Sequence, residues 1–90
     1  MELHDVTKAI PLSGYILELA FDDGTTGTVD IAQIVRFEGV FAPLRDGNYF
    51  RQAFVHPEFG VVCWPNGADI DSDLLYSIVV GKPLPVAEPA

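Results

Sequence analysis

Apolar and polar positions alternate most clearly over Tyr15-Ile16-Leu17-Glu18-Leu19-Ala20-Phe21. Tyr15, Leu17, Leu19 and Phe21 share one face there, and Glu18 stands on the other among smaller apolar residues. A period of two marks a half-buried strand. Asp22-Asp23-Gly24-Thr25 then breaks the pattern with a tight-reversal signal, and Thr26 to Ile31 returns as a β-branched strand with Val29 and Ile31 on one face. Upstream, Val6 to Ile10 reads as a strand ended by Pro11 and a turn at Ser13-Gly14. The first third is therefore predicted to be a three-stranded meander.

The period lengthens next. Asp30 is placed to cap a short helix over residues 31–36, with Ile31, Ile34 and Val35 on one stripe and Gly39 beyond its end. Phe37, Phe41, Tyr49, Phe50 and Phe54 make the following segment aromatic, interrupted by an Asp46-Gly47-Asn48 turn and room for one helical turn near Tyr49-Phe50. Such rings are expected to plug the open end of a small sheet rather than line a ligand pocket. Residues 53–56 and 60–64 form a second predicted hairpin, the latter strand apolar enough to be central and covered on both faces. Trp64-Pro65-Asn66-Gly67 ends it in a turn. Asp71 then caps a helix over about residues 72–80 whose stripe is Leu74, Leu75, Ile78 and Val79, with Gly81 terminating it and Pro83 forbidding continuation. Residues 82–90 are Pro/Ala-rich, with the composition of an extended or disordered tail. The expected architecture is α+β: one domain over residues 1–81, an antiparallel sheet of four to five strands, a short helix after the meander and a C-terminal helix packed on the sheet.

Charge changes the picture by exclusion. Ninety residues carry a formal net charge of −8, and the five basic residues are scattered singly, which argues against direct nucleic-acid binding. Apolar content of 49% with 20% charged residues is that of a folded globule. The only cysteine, Cys63, excludes an intrachain disulfide and a thiolate metal site. The amino terminus has no signal-peptide pattern and no apolar window is long enough to span a bilayer, so a cytoplasmic location is expected and no membrane partner.

Three stretches resemble a known family. They are Leu17-x-Leu19-x-Phe21-Asp22-Asp23-Gly24 with Val29-Asp30 following; Phe41-x-x-Leu44-x-Asp46 leading to Phe50; and Trp64-Pro65-Asn66-Gly67-Ala68-Asp69-Ile70-x-x-x-x-Leu75-Tyr76. Together they are similar to domain-of-unknown-function family 2442, a set of small bacterial proteins. The resemblance implies a compact α+β domain and no activity, since the family has no assigned catalytic residues to carry over. Some relatives are fused to a helix-turn-helix domain or sit beside a small companion gene, as toxin–antitoxin pairs do. This chain departs from the fused form, having too few residues after Tyr76 for a DNA-binding module.

The residues offer few sites for chemistry. Asp69-x-Asp71-x-Asp73 looks like the start of a calcium loop, but Leu74 and Val80 stand where the loop's glycine and closing glutamate belong. A helix cap with carboxylates near the macrodipole accounts for Asp71 and Asp73. Asp22-Asp23 belongs to a solvated turn. Cys63 with His56 as base lacks an orienting third group and reads as inert packing. His4 and His56 are too isolated to suggest a metal centre, so neither a metal nor any other cofactor is expected. Arg36, Phe37, Phe41, Arg45, Tyr49, Phe50 and Arg51, however, have the composition of a protein interface. The leading expectation is accordingly a non-catalytic accessory module, antitoxin-like or regulatory, for the small product of a neighbouring gene, with self-association as another outcome. The alternative is a small ligand-binding or enzymatic domain around Trp64, Asn66, Asp69 and Asp71.

Overall fold

The computed structural model describes residues 4–81. The expected tail at 82–90 lies outside them. Strands β1 (Val6–Pro11), β2 (Ile16–Phe21) and β3 (Thr26–Asp30) form the predicted antiparallel meander in the order β1-β2-β3. Its register pairs Ala9 with Leu19 and Leu17 with Val29, so one face gathers Leu17, Leu19, Phe21 and Val29, all buried. The Asp22–Thr25 reversal closes with Phe21 N donating to Thr25 O, with Gly24 at φ +89°. That angle strains any residue bearing a Cβ.

The second half departs from a single sheet of four to five strands. Three two-residue strands, β4 (Phe54–Val55), β5 (Val62–Cys63) and β6 (Asp69–Ile70), build a separate antiparallel sheet in the order β4-β5-β6. β1 lies alongside β4, yet the backbone bond from Val6 N to Gly60 O, 2.8 Å, joins the two regions at the hairpin turn rather than along a ladder. The pairing of β1 with β2 slips between Val6 and Lys8, leaving Thr7 extra, and such a bulge bends the strand end out of register. A two-residue β4 offers little edge to pair with. As expected, β5 is central and both its residues are buried.

Helical turns fill the connections. Asp30 caps a 3₁₀ turn, Ile31–Gln33, by accepting from Ala32 N, so the predicted helix over 31–36 stops after one turn. A longer 3₁₀ segment, Gly39–Arg45, contains Pro43 and buries Leu44. The single turn α1 (Gly47–Phe50) is capped by Asp46, whose Oδ1 accepts from Asn48 N at 2.9 Å.

Helix α2 (Ser72–Val80) has the predicted bounds. Asp71 accepts from Leu74 N, and Gly81 ends the helix in the left-handed region at φ +75°. Of the expected stripe, Leu74, Leu75 and Val79 face the core and Ile78 does not. Ser72 and Leu75 are buried, Tyr76 and Val79 pack on the core, and Ile78 is 37% exposed. That set follows i, i+3, i+4, i+7, the spacing of one helical face. α2 packs on β3 where Gly27 leaves room: a Cβ there would come within 2.6 Å of Val79 Cγ1.

Candidate functional site

The aromatic segment divides between core and surface. Phe50 is completely buried and accepts, through its carbonyl, the 2.9 Å hydrogen bond from Trp64 Nε1. It is therefore withdrawn from any surface a partner could touch. Tyr15 meets Phe37 and Phe50 edge-on, with ring centroids 4.9 and 5.3 Å apart, and its hydroxyl donates to the Arg45 carbonyl. Phe37, Phe41 and Tyr49 pack on the core with part of each ring outside. The rings thus close the fold, as the sequence suggested. Around them Arg36, Arg45 and Arg51 are exposed, and Val40 is 49% exposed. Arg45 Nε donates to Phe37 O at 2.9 Å, which fixes one guanidinium beside the ring. Among the described residues none of the three arginines forms an ion pair.

The Trp64–Asp71 groups are spent on structure. Trp64 is 1% exposed. Asn66 Oδ1 accepts from Ala68 N while its Nδ2 donates to Val40 O at 2.9 Å, tying the β5–β6 turn to the 3₁₀ segment. Asp71 caps α2, and Asp69 projects from β6. Asp73 Oδ1 accepts from His4 N at 3.2 Å. The three carboxylates of the Asp69-x-Asp71-x-Asp73 run therefore have three different surroundings.

A different cluster forms beside the first half of α2. The antiparallel register of β1 and β2, carried two residues outward from the Val6–Phe21 pair, brings His4 to Asp22 and Asp23. His4 Nδ1 lies 3.6 Å from Asp22 Oδ1 and 3.7 Å from Asp23 Oδ2. The imidazole stacks on Tyr76, centroids 3.8 Å apart and planes 12° from parallel, and Tyr76 packs edge-on against Phe21. Tyr76 Oη donates to Asp23 Oδ2 at 2.6 Å, and Thr25 N donates to Asp23 Oδ1 at 2.9 Å. Hydrogen bonds to the ionised form favour it. The Tyr76 hydroxyl first, then Thr25, and least of all the charge of His4, hold the Asp23 carboxyl down at about 2 against an ordinary 3.8.

Cys63 and His56 do not form a nucleophile–base pair. β4 and β5 pair Phe54 with Cys63, and His56 N donates to Val61 O, two steps further along. His56 Nδ1 accepts from Glu58 N and Phe59 N, so the ring serves the turn it opens. Burial pushes the Cys63 thiol up, and the Asp69 charge adds to it, which is the reverse of what an attacking thiolate needs.

A family model, described as protein of unknown function (DUF2442), matches residues 6–81. The chain belongs to this family. No curated protein and no solved structure matches it. The DUF2442 match contains all three stretches on which the resemblance rested, and it starts two residues beyond His4. Among the described residues no helix is long and apolar enough to cross a membrane. Sequence reasoning passed over His4 because it weighed the histidines by their neighbours in the chain. The signal was available in the strand pairing: a hairpin that starts at residue 6 and reverses at 22–25 carries residue 4 to its turn.

Proposed function

We propose that this DUF2442 chain is a non-catalytic interaction module of the bacterial cytoplasm. It grips a small protein partner, such as the product of a neighbouring gene, through residues 36–51, and serves as its antitoxin-like or regulatory companion. One observation carries the reading. In a chain of net charge −8, three of the five basic residues, Arg36, Arg45 and Arg51, stand exposed around partly exposed aromatic rings. Arginine beside aromatic rings is the composition of binding hot spots, where a flat ring supplies area and the guanidinium a directional contact. Phe50 leaves the set, since it is buried; Arg36, Phe37, Phe41, Arg45, Tyr49 and Arg51 remain. A ligand pocket at Trp64, Asn66, Asp69 and Asp71 is less well supported, because Trp64, Asn66 and Asp71 are engaged in packing or hydrogen bonds with this chain's own backbone. A homo-oligomer built on the same surface is the outcome that size measurements would separate.

The test is co-expression with the product of the adjacent gene, followed by co-purification at several salt concentrations. Native chain is expected to retain the partner, and the double variant Arg36→Glu, Arg45→Glu to lose it while keeping its circular dichroism spectrum. Recovery of nothing above background at every salt level, or retention undiminished in the double variant, would refute the proposal.

A further inference from the structure

We propose that His4, Asp22 and Asp23 bind one borderline divalent transition ion, with zinc as the reference case, where the start of β1, the β2–β3 turn and α2 meet. Their ligand atoms, one imidazole nitrogen and two carboxylate oxygens, all lie within 4.8 Å of one another. The spacing is telling. At 3.6 and 3.7 Å the His4 Nδ1 to carboxylate separations are too long for hydrogen bonds, which close to about 2.9 Å. Two ligands on a tetrahedral ion, with bonds of roughly 2.0–2.2 Å, stand about 3.4 Å apart. Bringing His4 and either carboxylate onto one ion therefore asks for a contraction of only a few tenths of an ångström.

The surroundings orient the ligands before any ion arrives. Stacking on Tyr76 sets the imidazole plane, and the Asp73 carboxylate fixes the His4 backbone. Tyr76 Oη occupies one side of Asp23 Oδ2, and Thr25 N holds Oδ1. Hydrogen bonds of this kind to ligating carboxylates are the usual outer shell of a metal centre. Asp22, with a side chain 46% exposed, leaves the outer face to water, as an ion with three protein ligands requires. The imidazole decides the class of ion. Calcium and magnesium take all-oxygen shells, whereas a mixed nitrogen–oxygen set suits zinc, cobalt and nickel. A chain of net charge −8 also draws cations toward it.

The experiment is calorimetric titration of zinc chloride into the full 90-residue chain, freed of any polyhistidine tag and stripped with chelator. Cobalt absorption serves as a second readout of a nitrogen ligand. One saturable site is expected, weakened at least about tenfold in His4→Gln and in Asp22→Asn. Tyr76→Phe, which keeps the stacked ring but removes the donor to Asp23, should weaken it by about 10-fold or more. Asp69→Asn should bind as the native chain does. Asp22 is exposed, so its variant remains informative even if the His4 change disturbs folding. Absence of saturable zinc binding, equal affinity in His4→Gln and native chain, or calcium binding as tightly as zinc would each overturn the proposal.

Discussion

Replacing Gly27 by alanine tests the central packing contact of the fold. Gly27 sits in β3 opposite Leu19, on the face that α2 covers. A new Cβ would come within 2.6 Å of Val79 Cγ1, well inside van der Waals contact. Valine is stiff at χ1, so relief requires either an off-rotamer Val79 or a lifted helix. Overpacking of this kind costs about 1–3 kcal/mol. Alanine also lowers the entropy of the unfolded chain, which returns about 0.4–1 kcal/mol. Gly27→Ala should therefore destabilise by about 0.5–2 kcal/mol net, and each kcal/mol lowers the melting temperature by roughly 4–8 °C in a domain of this size. Val79→Ala alone removes two partly buried methyl groups and should cost about 1 kcal/mol. In the double variant the clash is gone, so it should be more stable than the sum of the single changes by about 1 kcal/mol or more. Urea denaturation of the native chain and the three variants closes the cycle. Additivity within about 0.5 kcal/mol would mean that the two residues do not meet, and the placement of α2 on β3 would fall.

Two further outcomes follow from the same helix. Leu75→Ala empties a fully buried site and should cost about 2–5 kcal/mol in denaturant unfolding, whereas Ile78→Ala, at a position 37% exposed, should cost markedly less; equal losses would contradict the outward placement of Ile78. Tyr76→Phe should raise the Asp23 pKa from about 2 toward 3.8, read by a carbon-detected NMR titration of that carboxyl. Because the folded-state value is depressed, the stabilisation it reflects is present above about pH 4 and lost as pH falls through about 2. An unmoved midpoint in Tyr76→Phe would show that the hydroxyl is not the main cause.

Much of the fold was legible because its signals are local. Alternation over residues 15–21 and the Asp-Gly reversal gave the meander, and Asp71 with Gly81 bracketed α2 to the residue. Where the reading failed, the deciding forces act over longer separations. A two-residue strand such as Asp69–Ile70 has no period to detect, so β6 and with it the separate second sheet stayed hidden. Pro43 and Gly39 disguised a 3₁₀ segment as loop. The close seat of Val79 depends on Gly27, a glycine that looks like a weak strand residue until the helix above it is known. Of the candidate interface, the arginines lie exposed, but the burial of Phe50 depends on Trp64, fourteen residues later, reaching its carbonyl. The His4 corner required three elements to meet.

The helix that covers the Gly27 groove is the last element of the described fold in chain order. During synthesis the meander leaves the ribosome first, residues up to 70 add their share of the core, and the patch at Gly27 stays bare until α2 follows. Packing at Gly27 therefore waits for α2. A stalled or clipped product lacking α2 would present an open apolar sheet to chaperones and proteases, which gives a cell a ready way to discard incomplete copies.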